Sequence, residues 1–240
     1  MLVSTEAIAL STIKYSESSI IFKCYTLSYG IKTYMIRGVR SKKNKSNSIA
    51  LFQPLTILEI NANHKNNFGI ENINSAKILI PYKSIPFDIL KNSLVLFLSE
   101  ILSKCIIEEE QNKQMYNYIK SSLLWLDSAS EYVNFHIQFL IKLLKYLGIS
   151  PSFEKINKFY GYSNDVPKRV NDVKEKVEEQ LKNDFDFLLG TNFDANMEHI
   201  INYNKRKKIL EFLMAYMQLH IEGFKRPNSL NIMYELFKKK

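Results

Sequence analysis

At 240 residues, with 46% apolar and 24% charged side chains, the chain has the composition of a globular protein that can bury a sizeable core in one large or two small domains. Its two cysteines, Cys24 and Cys105, are too few and too far apart for a disulfide framework and point to free thiols in a reducing cytoplasm. The net charge of +9 accompanies a Lys-, Asn- and Ile-rich composition that A+T-rich coding DNA would produce unaided, so where the charges lie says more than their total.

The N-terminus, MLVSTEAIALSTIKYSESS, lacks a basic region followed by a continuous apolar run, so no signal peptide is read. TEAIALSTIKY is a first strand. In ESSIIFKCYTLSYG, Ile20, Phe22 and Cys24 share one parity and predict a second strand. Ser28-Tyr29-Gly30 is the expected hairpin turn into a third, GIKTYMIRGVR. SIALFQPLTILEI is a further strand in which Pro54 predicts a bulge or an edge position, and NINSAKILIPY is the last. Roughly five short strands in about 80 residues bury both faces most economically as a small closed barrel, and the five-stranded OB-fold fits that count.

After Pro86 the period becomes helical. Phe87, Leu90, Leu94, Phe97, Leu98, Ile101 and Leu102 mark a buried helix, too short and too interrupted by Glu100 and Lys104 to span a bilayer. Met115, Tyr118, Ile119, Leu123 and Leu126 mark a second. Val133, Ile137, Leu140, Leu144 and Leu147 mark a third, closed by Gly148 and Pro151. A charged helix is expected over 167–183, with Val170, Val173, Val177 and Leu181 as its stripe and Glu178–Lys182 as an exposed pair. A long helix from about Lys205 to Gly223 and a short one in RPNSLNIMYELF complete the chain. The expected fold class is therefore α+β: an N-terminal five-stranded OB-fold barrel, residues 1–81, followed by an all-α helical domain, residues 82–240.

One segment carries charge that folding does not require. Residues 1–80 hold ten Lys/Arg against four Asp/Glu, whereas 81–240 hold 23 against 20. Between Tyr29 and Leu58 there are six cations (Lys32, Arg37, Arg40, Lys42, Lys43 and Lys45) and no acid. Codon bias spreads lysines about but does not clear one segment of acids, so a polyanion-facing surface is expected there. Tyr34 and Tyr29 lie among these cations, where aromatic faces could stack on unpaired bases. Six contacts to single-strand phosphates would give log affinity against log salt a slope of roughly −4.

Catalytic and cofactor signatures are missing from the sequence. Seven glycines match no phosphate-loop or dinucleotide spacing, and there is no G-x-S-x-G or H-E-x-x-H. Two cysteines and four scattered histidines do not compose a zinc site. Cys24 reads as a small buried hydrophobe, His136 and His220 as core or interface residues, and Glu108-Glu109-Glu110 as a solvated helix end. The terminal Lys238-Lys239-Lys240 reads as a basic tail. No catalytic residue, metal or cofactor is expected.

The order of these features resembles the bacterial DNA repair protein RecO family. The resemblance is carried by Tyr15, Glu17, Ser18 and Ser19 after an opening strand, by Tyr25, Thr26 and Gly30 in the hairpin, by Arg37, Gly38 and Arg40 in the basic segment, and by Gln53, Pro54 and Leu55 before the next strand. FHIQFLIKLLKYLGISP resembles the family's helix ending in Leu-Gly. FDFLLGTNF resembles its F-D-x-x-x-G turn at Phe185, Asp186 and Gly190, and LHIEGFKRPNSLNIMYELF resembles its C-terminal elements. The resemblance implies a non-enzymatic, cytoplasmic mediator with no membrane attachment. Such a protein binds single- and double-stranded DNA, anneals complementary strands, and works with RecR and the acidic C-terminal tail of single-strand binding protein (SSB) to load recombinase. Many members hold zinc through four cysteines between the Leu-Gly helix end and the F-D-x-x-x-G turn. Residues 149–184 here contain neither Cys nor His, so no metal is carried over. An RNA-binding OB protein and a scaffold that docks acidic proteins are the competing readings of the same basic segment.

Overall fold

A computed structural model describes residues 1–39, 48–64, 69–107, 110–151, 182–191, 193 and 201–238. By tertiary contact the chain divides into two compact units, Met1–Ala129 with Lys225–Met233, and Ser130–Phe224 with Tyr234–Lys240.

In the first unit, β1 (Leu2–Lys14), β2 (Ile20–Thr26), β3 (Gly30–Ile36), β4 (Ile57–Asn63) and β5 (Glu71–Ile80) close a barrel in the order β1-β2-β3-β5-β4. This is the OB-type barrel expected from the alternation. The long β1 serves two neighbours: its first half pairs with β4 and its second with β2, and the register shifts between Ala9 and Ser11. An irregularity there lets one strand bend around the barrel corner. Closure comes from a short parallel pairing of β3 with β5, Tyr34 opposite Glu71 and Met35 opposite Asn72. Ile20, Phe22 and Cys24 line the interior as their shared parity predicts, with Ile36, Leu58 and Ile60.

The segment SIALFQPLTILEI is not one strand. Ile49–Phe52 is a single 3-10 turn, the chain bends at Pro54 and Leu55, and pairing resumes only at Ile57. Pro54 has no N–H to give a ladder, and Leu55 adopts φ 55°, so strand geometry stops there. The bend is held by Leu55 N–H donating to Ala9 O (2.8 Å) and by the Tyr82 hydroxyl donating to Leu55 O (2.7 Å). Its consequence is that Phe52 turns into the barrel, 4.8 Å ring to ring from Phe22.

Helix α1 (Ile89–Cys105) starts where Asp88 accepts N–H bonds from Leu90 and Lys91. Of the periodic positions it buries Leu94, Phe97, Leu98, Ile101 and Leu102, at about 1.5–3 kcal/mol each, and leaves Leu90 half-buried. Phe87 lies before the helix in a 3-10 turn and is exposed, because the helix begins only after Asp88. Helix α2 (Lys113–Ser128) starts at Asn112, whose side chain accepts from Met115 N–H. Near its end, the Asp127 carboxylate accepts from Lys83, Ser84 and Ile85 N–H (2.8, 2.8 and 2.9 Å) and so ties α2 to the turn before α1.

In the second unit, α3 (Phe135–Tyr146) packs on α4 (Tyr203–His220). Gly148, at φ 74°, donates to Lys145 O while Ile149 donates to Leu144 O, the left-handed stop expected at the end of α3. Residues 182–190 are helical, so Phe185, Asp186 and Gly190 lie on a helix rather than in a turn; Phe185 is buried edge-on against Phe212 at 6.0 Å. The final helix, α5 (Leu230–Phe237), contributes Leu230–Met233 to the first unit and the remainder to the second, where the Tyr234 hydroxyl donates to Glu211 at 2.9 Å. The charged stretch expected at 167–183 lies outside the described residues except for its end.

Candidate nucleic-acid interface

The predicted basic surface is not one cluster. Lys32 and Arg37 sit at opposite ends of the β3 segment, roughly 16 Å apart along an extended chain. Lys32 shares the inward parity of Tyr34 and Ile36 and is half-buried near the β2–β3 turn. Arg37 lies just beyond β3 at the other end and is exposed. Arg40, Lys42, Lys43 and Lys45 lie outside the described residues.

Tyr34 is not a stacking platform. It is 0% exposed in the barrel core, opposite Phe22 across the β2–β3 ladder. Its hydroxyl lies 2.8 Å from His64 Nε2, and His64 Nε2 lies 3.3 Å from Glu71 Oε2. Tyr29 packs edge-on against the same imidazole at 4.5 Å. Burial lowers the His64 pKa against the raising effect of Glu71, and the charges of Lys32 and the N-terminus lower it further, so the ring is neutral at pH 7. Burial likewise raises the Tyr34 pKa and keeps its hydroxyl protonated. This group lies at the end of the barrel where the β2–β3 turn, the end of β4 and the start of β5 meet. Both parities of GIKTYMI carry apolar residues, so alternation alone could not tell which way Tyr34 faces.

The outer face of β2 is covered within the same unit. Lys23 extends its ammonium to Ser103 O on α1 (2.6 Å), where burial lowers its pKa against a smaller opposing effect of Cys105. Tyr25 is buried against Tyr116 on α2, its hydroxyl donating to Asn112 O. At Lys23 and Tyr25 the outer surface of β2 is thus spent on helix packing.

At the other end of the sheet the described residues face solvent. Lys14 pairs with Ile20 and Ile20 with Ile36, so Tyr15 and Arg37 follow one transverse row, two strand spacings or about 10 Å apart. The connection between them is tight: Tyr15 and Ser16 N–H both donate to Ser19 O, and Ser19 N–H donates to Ser16 Oγ. Gly38, at φ 73°, turns the chain so that Val39 N–H donates to Ser18 O at 2.9 Å. Ile13, Lys14, Tyr15, Glu17 and Arg37 are all exposed on this rim. Sequence reasoning missed Tyr15 as an exposed aromatic; its signal is the loss of apolar alternation after Lys14.

Elsewhere, Cys24 is fully buried as expected, and Cys105 is buried with its thiol pushed up to about 12 by burial, against the nearby Lys104 and Lys23. His136 is a core residue, its pKa lowered to about 3 by burial and by Arg206. His220 is not in the core; it is exposed at the end of α4, packed on Tyr216 at 4.2 Å. Of the acidic triplet, Glu110 is exposed, and Glu108 and Glu109 lie outside the described residues. Among the described residues no group of three His, Cys, Asp or Glu could hold a metal ion, and no helix is long and apolar enough to cross a membrane.

A closed β1-β2-β3-β5-β4 barrel followed by a helical region places the chain among proteins built on an OB-type barrel with appended helices. The family model described as Recombination protein O N terminal matches residues 1–82, and that for Recombination protein O C terminal matches 86–158. DNA repair protein RecO of Flavobacterium psychrophilum is 37% identical over 238 residues, covering 99% of this chain and all of that protein. RecO of Flavobacterium johnsoniae is 37% identical over 237 residues and RecO of Bacteroides fragilis 31% over 247, with the same coverage. The chain belongs to the RecO family of DNA repair and recombination proteins.

Proposed function

We propose that this chain is a non-enzymatic recombination mediator that binds single- and double-stranded DNA, anneals complementary strands, and helps load recombinase onto SSB-coated DNA. The observation that carries the reading is the exposed Arg37 at the rim of the barrel, which leads directly into the acid-free run containing Arg40, Lys42, Lys43 and Lys45. Two polyanionic strands repel each other; a basic surface that screens both lets their bases meet. Lys32, at the far end of β3, is a secondary contact. Residues 1–81 form the nucleic-acid-binding domain and 82–240 the helical domain. RecR and the acidic tail of SSB are its protein partners, and its place of action is the cytoplasm.

The test is annealing of complementary oligonucleotides precoated with SSB, with and without the SSB tail, by the wild-type chain and by a variant with Arg37, Arg40, Lys42 and Lys43 reversed to Glu. The variant should anneal poorly, and its single-strand salt slope should flatten by roughly 3. Unchanged binding by a folded variant refutes the assignment.

A further inference from the structure

We propose that Tyr15 stacks on an unpaired nucleobase, with Arg37, in the same transverse row, holding the adjacent phosphate. The inference deepens the nucleic-acid reading above and rests on it. Tyr15 is 62% exposed. Ile13, on the same strand parity, is 63% exposed, so the apolar surface continues along the strand. A single exposed apolar side chain is ordinary. Two in line, with Arg37 in the same transverse row two strand spacings away, combine an aromatic face with a cation, which is what an unpaired strand requires.

The backbone under the ring is already ordered. Tyr15 N–H is bonded to Ser19 O at 3.0 Å, and the turn is latched to the segment after Arg37 through Val39 N–H and Ser18 O. Holding the ring and the guanidinium on one braced rim lowers the ordering cost of binding. The aromatics of the β2–β3 hairpin are committed: Phe22 and Tyr34 in the core, Tyr25 under α2, Tyr29 on His64. A stacked ring needs a free base face, which a duplex denies it, so Tyr15 favours single strands. Glu17 on the same turn opposes phosphate and keeps binding at this rim from being purely electrostatic.

The full chain is titrated against oligo-dT, an abasic oligonucleotide of equal length, and a duplex, at several salt concentrations. Tyr15→Ser should weaken oligo-dT binding about tenfold without changing the salt slope, leave the abasic and duplex ligands unaffected, and melt like wild type; Tyr15→Phe should bind like wild type. Arg37→Ala should weaken all three ligands and flatten the single-strand slope by about 0.7. Undiminished oligo-dT binding by Tyr15→Ser, or an equal loss on the abasic strand, overturns the stacking role while leaving the nucleic-acid reading in place. If the wild-type chain binds none of the three at low salt, both fall.

Discussion

Replacing Asp127 by Ala removes the carboxylate that accepts Lys83, Ser84 and Ile85 N–H and so releases α2 from the turn before α1. A hydrogen bond to a charged group contributes about 1.5–3 kcal/mol, but these three share one carboxylate and the site is partly open to water. Lys83 is exposed, so its freed N–H is rehydrated at little cost; Ser84 and Ile85 are more enclosed. A net loss of about 2–3 kcal/mol follows, which for a chain of this size lowers Tm by roughly 4–12 °C. The single tryptophan, Trp125, lies on α2 two residues from the perturbation and reports the unfolding of this unit by fluorescence. The pH dependence gives a second check. Partial burial alone would raise the Asp127 carboxyl, but the Lys83, Ile85 and Ser84 donors outweigh it and hold the group below its usual value. A depressed carboxylate stabilises above its unfolded pKa, near 3.9, and that stabilisation is lost as pH falls through the folded value. The gap between wild type and Asp127→Ala should therefore be full at pH 7 and shrink below about pH 4. A Tm within about 2 °C of wild type at pH 7, or a gap that persists undiminished at pH 3, would refute the reasoning.

The lowered His64 pKa means that the folded chain resists protonation there while the unfolded chain accepts it near pH 6.5, so stability should fall as pH drops through about 6.5. His64→Gln should remove that component, and an NMR titration of His64 should place its midpoint below the ordinary histidine value. Phe52→Ala opens a cavity beside Phe22 at the bend before β4 and should cost about 3–5 kcal/mol in urea unfolding; a loss under about 1 kcal/mol would mean the barrel collapses onto the gap.

Local pattern carried much of the fold. Ile20, Phe22 and Cys24 on one parity, the three- and four-residue steps through Leu94, Leu98 and Ile101, and Gly148 after Leu147 are consequences of fixed backbone periods and a left-handed stop, so neighbours in sequence suffice to read them. The acid-free run from Lys32 to Lys45 was equally plain, because charge asymmetry needs no coordinates.

Which residues of that run share a surface was decided only in three dimensions. Tyr34 faces inward because β3 must close on β5 opposite Glu71, a pairing 37 residues apart that no local alternation encodes. Lys23 and Tyr25 leave the outer surface because α1 and α2, some 80 residues on, lie over β2. Tyr15 reaches the rim beside Arg37 because β1 and β3 both flank β2, with Lys14 and Ile36 each opposite Ile20. Composition and period set what each segment is; strand closure and helix docking, which depend on distant partners, set which side chains are left to meet a ligand.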